Sequence, residues 1–534
     1  MKKITWALVL CSSSIELLLA MKKEKRRNWY RTAVLLLLPM LAMAELLGRN
    51  WLGGIFDSFF PKVLLPTLLL GLVQGTLVIP SLLRLFHWLR HQIWFYNAPP
   101  GILGIGSFVL VIVVGAALLL TPNATTGGIG VLDAFFTSAS AVCVTGLTTI
   151  NVETDLTHTG QGILLSLIQI GGLGVMTLTY FLALVAGQGV NLRDRVALRD
   201  LLSEANLGRV GFFIWHILIT TLVIELIGMF LLHHFWKTVY VGGDLIWWDS
   251  LFHAVSAFCN AGFSTYGDGL MHETVLGNRP FQAVIMGLIV LGGLGFALTT
   301  EVLSFSWQNL RRKLSRTAHL RPRLSVHSRL ALLMTVFLLV GGTLAYRVAG
   351  IDWWTSLFNS VTMRTAGFNI SNFAELGTFA ILLSCVLMVI GGNPGGTAGG
   401  VKTTTFAIAF LELGRVLRGR RDLQLWDRRV SSGIVQRAAA TMVLCFIWLI
   451  VAFLLVGYFE PEADFSDVIF ECVSAFGTVG VSRGITADLS EGSKVVIILT
   501  MLAGRIGILT FALTFAGRSK PQHYRLPETR VNLS

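Results

Sequence analysis

Four short stretches constrain this 534-residue chain more than anything else in it. They are Val144-Thr145-Gly146-Leu147, Asn260-Ala261-Gly262-Phe263, Thr365-Ala366-Gly367-Phe368 and Thr478-Val479-Gly480-Val481, with glycines 116, 105 and 113 residues apart. The match extends upstream, where a polar residue is followed three positions later by Phe: Asp133 with Phe136, Asp249 with Phe252, Thr355 with Phe358, Asp467 with Phe470. The polar residue lies 13, 13, 12 and 13 residues before its glycine. Read as a helix cap, it leaves room for about three turns of helix before the loop. One chain thus supplies four copies of a short helix aimed at a glycine loop.

Glycine permits backbone angles that a side chain forbids and lets neighbouring chains approach closely. Four such loops around one axis would turn main-chain carbonyls inward, in rings that replace the water shell of a bare alkali cation. The carbonyl ends of the four short helices would point to the same place and favour a cation there. A single glycine of this kind reads as a helix C-cap in a packing loop, but four in register point to a cation pathway. Its candidate residues are Val144, Thr145, Gly146, Asn260, Ala261, Gly262, Thr365, Ala366, Gly367, Thr478, Val479 and Gly480, offering an alkali cation their backbone carbonyls.

The chain is 54% hydrophobic and 13% charged, with a mean hydropathy of +0.70, which no soluble domain accommodates. The formal charge of +13 does not mark a nucleic-acid binder, because 18 of the Lys and Arg residues fall in three linkers, 188–210, 306–329 and 414–437. The segments that follow the glycine loops hold only Arg279, Arg483 and Lys494. The positive-inside rule then places the linkers in the cytoplasm and the glycine loops towards the outer face. Cys11, Cys143, Cys259, Cys385, Cys445 and Cys472 lie in apolar segments without paired metal spacing and read as buried thiols.

The expected fold class is an all-α polytopic membrane protein: four pseudo-symmetric helix–pore loop–helix repeats around one central pore, plus extra N-terminal helices. Residues 1–97 hold those helices, at 32–48 and 62–84. Residues 5–20 read as a dispensable leader, against a marginal helix or an over-long start before Met21. The repeats follow at 98–190, 191–310, 311–415 and 416–517, with a cytoplasmic tail at 518–534. First spans are expected at 101–121, 210–235, 328–349 and 434–458, and second spans at 161–187, 280–305, 378–413 and 494–516. Irregular backbone at membrane depth is tolerated only in protein or against water, so four re-entrant loops imply a pore.

The second spans carry Gly171-Gly172-Leu173-Gly174, Gly292-Gly293-Leu294-Gly295, Gly391-Gly392 and Gly504-Arg505-Ile506-Gly507, where close packing is the simpler reading. In the third span, Gly391, Gly392, Gly395, Gly396, Gly399 and Gly400 with Pro394 must break the helix, leaving a flexible loop under the filter as an obstruction. The other three spans are expected to run on as helices. Lys402 follows the loop, and Arg505, a charge in the last span, is expected to reach it across the pore. Arg364 would brace the third filter loop from behind, and Glu225 is an intramembrane acid with no evident partner. A phosphate-loop reading of the glycine run fails, since Val401 stands where glycine must precede the lysine.

At these residues the chain resembles the Trk/Ktr/HKT superfamily of potassium transporters, over about 98–517. The motifs are the stretch Thr137–Leu147, S-A-F-C-N-A-G-F at 256–263, R-T-A-G-F at 364–368, the run 391–405 and S-A-F-G-T-V-G at 474–480. Their details are closer to the Ktr channel subunit, while the two extra helices before residue 90 are a Trk feature. The resemblance implies a multi-pass protein of the bacterial plasma membrane, conducting K+ without covalent chemistry or a covalently bound cofactor, with Na+ as co-activator. It also implies a homodimer gated by a cytoplasmic ring of nucleotide-binding regulatory subunits, the nucleotide being held on the partner only, and makes 391–400 with Arg505 the gate. Sodium-passing relatives often carry serine at the first filter glycine, here Gly146. The alternatives are the pore subunit of a potassium-pumping ATPase, a sodium-permeable relative and, remotely, a membrane scaffold.

Overall fold

The computed structural model describes residues 100–174, 210–237, 246–315 and 324–515. The expected leader, the two early helices and the C-terminal tail lie outside the described residues. Contacts divide the chain into one unit of Asn97–Val241 with Asp249–Ser534 and another of Met1–Tyr96 with Gly242–Trp248, of which only the last few residues are described.

Four long apolar helices precede the four glycine loops: α1 (Pro100–Leu119), α4 (Val210–Trp236), α8 (Val326–Val348) and α12 (Ser432–Phe459). Each is a run of Leu, Val, Ile, Ala and Phe without an internal break. α8, α12 and the Trp215–Trp236 part of α4 are long and apolar enough to cross a membrane. Their outer faces carry bare apolar side chains, such as Phe337, Phe446 and Leu454, which suits hydrocarbon and not water. A two-residue hairpin, β1 (Gln424–Leu425) with β2 (Arg428–Arg429), departs from the expected all-α content in the basic stretch before α12.

Inside this apolar shell lie the short helices α2 (Val131–Cys143), α5 (Ile246–Cys259), α9 (Trp353–Thr362) and α13 (Phe465–Gly477). Phe136, Phe252, Phe358 and Phe470 are fully buried in them. Two of the hydroxyls they bury find main-chain acceptors on the preceding long helix: Ser138 donates to Ile112 O at 2.8 Å and Ser360 to Leu339 O at 2.9 Å. An unpaired hydroxyl in this setting would cost about 1–3 kcal/mol, so these bonds fix how short and long helices meet.

The helix starts differ from expectation. The first-turn acids Asp133, Asp249 and Asp467 are inside their helices, and the caps fall earlier, at Gly130, Asp352 and Asp464. Thr355 likewise lies within α9, whose cap Asp352 accepts from Trp354 N at 3.0 Å. The carboxylates expected to cap are drawn away to partners elsewhere: Asp133 to Lys494 at 2.8 Å, Asp249 to Thr265 Oγ1 at 2.8 Å, and Asp467 to Arg483.

Four helices follow the loops: α3 (His158–Leu173), α6 (Arg279–Gly293), α10 (Thr378–Val389) and α14 (Glu491–Ile506). The expectation that only the third breaks is overturned. α6 turns by 102° into α7 (Phe296–Ser315), and α14 turns by 103° into α15 (Ile508–Phe515). α3 ends at Gly174, whose angles, φ 83 and ψ 123, nearly equal those of the hinge Gly507, φ 93 and ψ 123. α10 is separated from α11 (Thr403–Leu417) by residues 390–402, a longer break than those after α6 and α14.

Candidate functional site

The glycine loops begin where the short helices end. Val144, Asn260 and Thr478 adopt left-handed angles, φ 57, 61 and 51, and Thr365 does so at φ 78. Two residues on, Gly146, Gly262, Gly367 and Gly480 are again left-handed, so every loop carries the same pair of unusual positions. In three loops the turn is a Schellman motif built on a non-glycine residue: Val144 N bonds Ala141 O at 3.1 Å and Thr145 N bonds Ser140 O at 2.8 Å. Asn260 with Ala261, and Thr478 with Val479, repeat the pattern on Ala257 and Ser256 and on Ala475 and Ser474. The third loop is one residue tighter, with Ala366 N bonded to Thr362 O at 2.9 Å, which accounts for its shorter spacing in the sequence.

The four loops touch in cyclic order. A Cβ placed on Gly146 would fall on Ala261 O, one on Gly262 on Ala366 O, one on Gly367 on Val479 O, and one on Gly480 on Thr145 O, each closer than 3.0 Å. The fourth loop therefore closes on the first. The carbonyl of each middle residue lies beside the glycine of the neighbouring loop, and the C-terminal end of each short helix opens onto this ring. Side chains link two loops as well. The bonding pattern orients the Asn260 amide so that its nitrogen donates to Ile289 O and Ala257 O, both at 3.1 Å, and its oxygen accepts from Thr365 Oγ1 at 3.2 Å.

Sequence reasoning passed over four hydroxyls that hold these loops. Ser140 and Ser474 accept from the N–H of Gly146 and Gly480 at 3.0 and 3.2 Å. Ser256 and Thr362 donate instead to the carbonyl just past the glycine, Phe263 O at 2.8 Å and Phe368 O at 2.6 Å. The signal was present as a Ser-Ala pair six residues before three of the four glycines.

Residues 390–402 lie against these loops. A Cβ on Gly399 would strike the Thr478 side chain, one on Gly391 would approach Gly399 O and Thr365, and Gly400 faces Gly477 and Val389 O. The segment expected to be flexible is tied down. Gly391 N bonds Val401 O at 2.9 Å and Thr403 N bonds Gly392 O at 3.1 Å, while Asn393 N and Thr397 N bond Gly293 O and Gly292 O at 3.0 and 3.3 Å. Phe296 N returns a bond to Gly395 O at 3.0 Å, where Gly396 also packs on Gly295. Side chains add to this: Asn393 Nδ2 donates to Leu294 O and Thr335 Oγ1, each at 3.2 Å, and Thr397 Oγ1 to Phe258 O at 3.2 Å.

Arg505 reaches the loop, as expected, and does more. Its Nη1 donates to Thr397 O and its Nη2 to Gly171 O, so one guanidinium on α14 joins the 390–402 segment to the end of α3. Lys402 acts within the loop, Nζ donating to Ala398 O at 2.6 Å. Arg364, next to the third glycine loop in the chain, is buried, and its Nη1 meets Thr335 O on α8 at 3.5 Å. Glu225 has partners after all: Gln169 Nε2 donates to it at 3.2 Å, and Cys259 Sγ, next to the second glycine loop, lies 3.8 Å from it.

The TrkH profile, described as a cation transport protein, matches residues 76–523. The chain belongs to the TrkH family. It is a multi-pass membrane transporter and not an enzyme. The Ktr system potassium uptake protein B of Bacillus subtilis (strain 168) is 35% identical over 445 residues, 82% of this chain and 97% of its own length. The protein of the same description from Vibrio alginolyticus is 34% identical over 439 residues, 80% of this chain and 93% of its own. The potassium/sodium uptake protein NtpJ of Enterococcus hirae is 32% identical over 455 residues, 82% and 97%. The crystal structure of the potassium transporter TrkH from Vibrio parahaemolyticus matches with a TM-score of 0.63 at 17% identity, covering 97% of this chain and 98% of that one, a likeness of fold.

Proposed function

We propose that this TrkH-family chain is the ion-conducting subunit of a potassium uptake system in a bacterial plasma membrane, its four glycine loops forming one selectivity filter. The observation that carries this reading is the closed cycle of contacts from Gly146 through Gly262, Gly367 and Gly480 back to Thr145. Such a cycle sets the carbonyls of Thr145, Ala261, Ala366 and Val479 around a common axis with quasi-four-fold order, where oxygens replace the hydration shell of K+. Helix C-termini directed at the same point add negative potential without any ionised side chain. The 390–402 segment, latched by Arg505, is the gate below the filter. The chain works as a homodimer with one pore per subunit, under a cytoplasmic nucleotide-binding ring that pulls on the gate, with Na+ as co-activator. The family match and the potassium uptake proteins among the relatives favour this over a pump subunit.

Replacing Gly146, Gly262, Gly367 or Gly480 with serine tests the filter. A side chain at positive φ is strained, and here it also meets the next loop's carbonyl, so each substitution disturbs two loops. Discrimination between K+ and Na+ uptake should fall in each variant. Wild-type affinity and selectivity in several of them would rule the filter out.

A further inference from the structure

One buried polar register is not used by the reading above. Three residues before each loop-holding hydroxyl (Ser140, Ser256, Thr362, Ser474) stand Thr137, His253, Asn359 and Glu471, and all four are 0% exposed. Polar side chains at the same place in four short helices are costly in an apolar protein, so their partners matter.

Those partners differ by repeat. His253 Nδ1 lies 2.8 Å from Asp249 O, which can only accept, so Nδ1 carries the proton and Nε2 accepts from Ser264 Oγ at 2.9 Å. Ser264, two residues past Gly262, in turn accepts from Tyr266 N at 3.1 Å. Glu471 accepts from Thr486 Oγ1, six residues past Gly480, through one carboxylate oxygen, and its Oε2 makes no hydrogen bond. Ser482 accepts from Gly484 N at 3.0 Å, as Ser264 does from Tyr266. A second rung lies beside each of these: Thr265 on Asp249 in the second repeat, and Arg483 on Asp467 in the fourth. In the first and third repeats Thr137 Oγ1 and both amide atoms of Asn359 make no hydrogen bond. Asp133 turns to Lys494 instead of to its own loop's exit.

The cyclic order of the loops puts the second opposite the fourth. We propose that His253 and Glu471 are positioning residues that clasp the exits of these two opposed loops, fixing the outer end of the filter along one diagonal and leaving the other diagonal unclasped. Discrimination between K+ and Na+ then depends on the pair at 253 and 471 and not on Thr137 and Asn359, which share their register. The proposal rests on the filter reading.

The test deletes the partner hydroxyls, which leaves the buried residues in place. Ser264→Ala and Thr486→Val, alone and combined, are compared with the hydroxyl-keeping Ser264→Thr and Thr486→Ser and with Thr137→Val and Asn359→Leu. Uptake of K+ with and without competing Na+ is measured in proteoliposomes of the full chain, normalised to protein inserted. Each hydroxyl deletion is expected to lower discrimination about tenfold, the order of one lost buried hydrogen bond. Maximal K+ flux should stay within about twofold, the range of a benign substitution. The hydroxyl-keeping variants, Thr137→Val and Asn359→Leu should match the wild type. Unchanged discrimination in both deletions, or an equal loss in Thr137→Val and Asn359→Leu, overturns the clasp. Gly146→Ser in the same assay separates the two readings: its loss of selectivity beside intact deletion variants removes the clasp alone, and intact selectivity in all of them removes the filter as well.

Discussion

Changing Arg505 to Ala should raise potassium flux through the isolated chain. Arg505 donates through separate nitrogens to Thr397 O and Gly171 O, and a hydrogen bond from a charged donor has a net worth of about 1.5–3 kcal/mol. Two of them bias the closed loop by about 3–6 kcal/mol, and each 1.4 kcal/mol or so is a factor of ten in an equilibrium. The loop does not come free when the guanidinium is removed, because Asn393 N and Thr397 N remain on Gly293 O and Gly292 O. The lower end applies, on the order of a hundredfold more open gate. Arg505→Lys separates two contributions. An ammonium keeps the fixed charge that opposes a passing cation but lacks the planar fork that spans two carbonyls. Flux close to that of the Ala variant makes the latch the main effect, and flux close to wild type makes it the charge. The assay is K+ uptake into proteoliposomes, with Na+ competition run in parallel. Wild-type flux in Arg505→Ala refutes the latch, and altered selectivity at unchanged flux would move the segment's role from gate to filter.

Asn393→Ala removes donors to Leu294 O and Thr335 Oγ1 and leaves the Thr403 hydroxyl without its acceptor, so it should destabilise the protein by about 1–3 kcal/mol and raise basal flux. Thermal unfolding in detergent checks the first, and a melting temperature equal to wild type would count against the tie to α6. Glu225→Gln keeps a polar group beside Gln169 and Cys259 and should insert and conduct almost normally, whereas Glu225→Leu leaves Gln169 Nε2 unpaired and should lower the yield of folded protein. Equal yields of both variants would make this contact idle.

The long spans and the glycine loops were legible because they are written in quantities a sequence displays: hydropathy over 20 or so residues and a motif repeated at long period. The caps were misread because an acid before a helical pattern is the usual cap signature, while here the helices start earlier and the acids serve tertiary partners such as Lys494 and Arg483. The hinges were missed for a different reason. Gly295 and Gly507 end a G-G-L-G and a G-R-I-G stretch, and a glycine in an apolar span reads as a packing residue until its φ, 88 and 93, is known.

Those breaks explain why the long loop of the third repeat holds a defined shape. A helix that stops leaves its last carbonyls without intrahelical donors. α6 stops at Gly293, and Gly292 O, Gly293 O and Leu294 O are the acceptors taken by Thr397 N, Asn393 N and the Asn393 amide. α3 stops at Leu173, and Gly171 O is taken by Arg505. The broken ends of the first and second repeats thus supply the acceptors that residues 390–402 and Arg505 need. A side chain at Gly295, φ 88, would strain this hinge and also fall 2.6 Å from Pro394 O, so Gly295→Ala would disturb both the acceptors and the loop they hold. The ends of α3 and α6, residues 390–402 and Arg505 on α14 form one hydrogen-bonded unit, so a change at any one of them bears on the others.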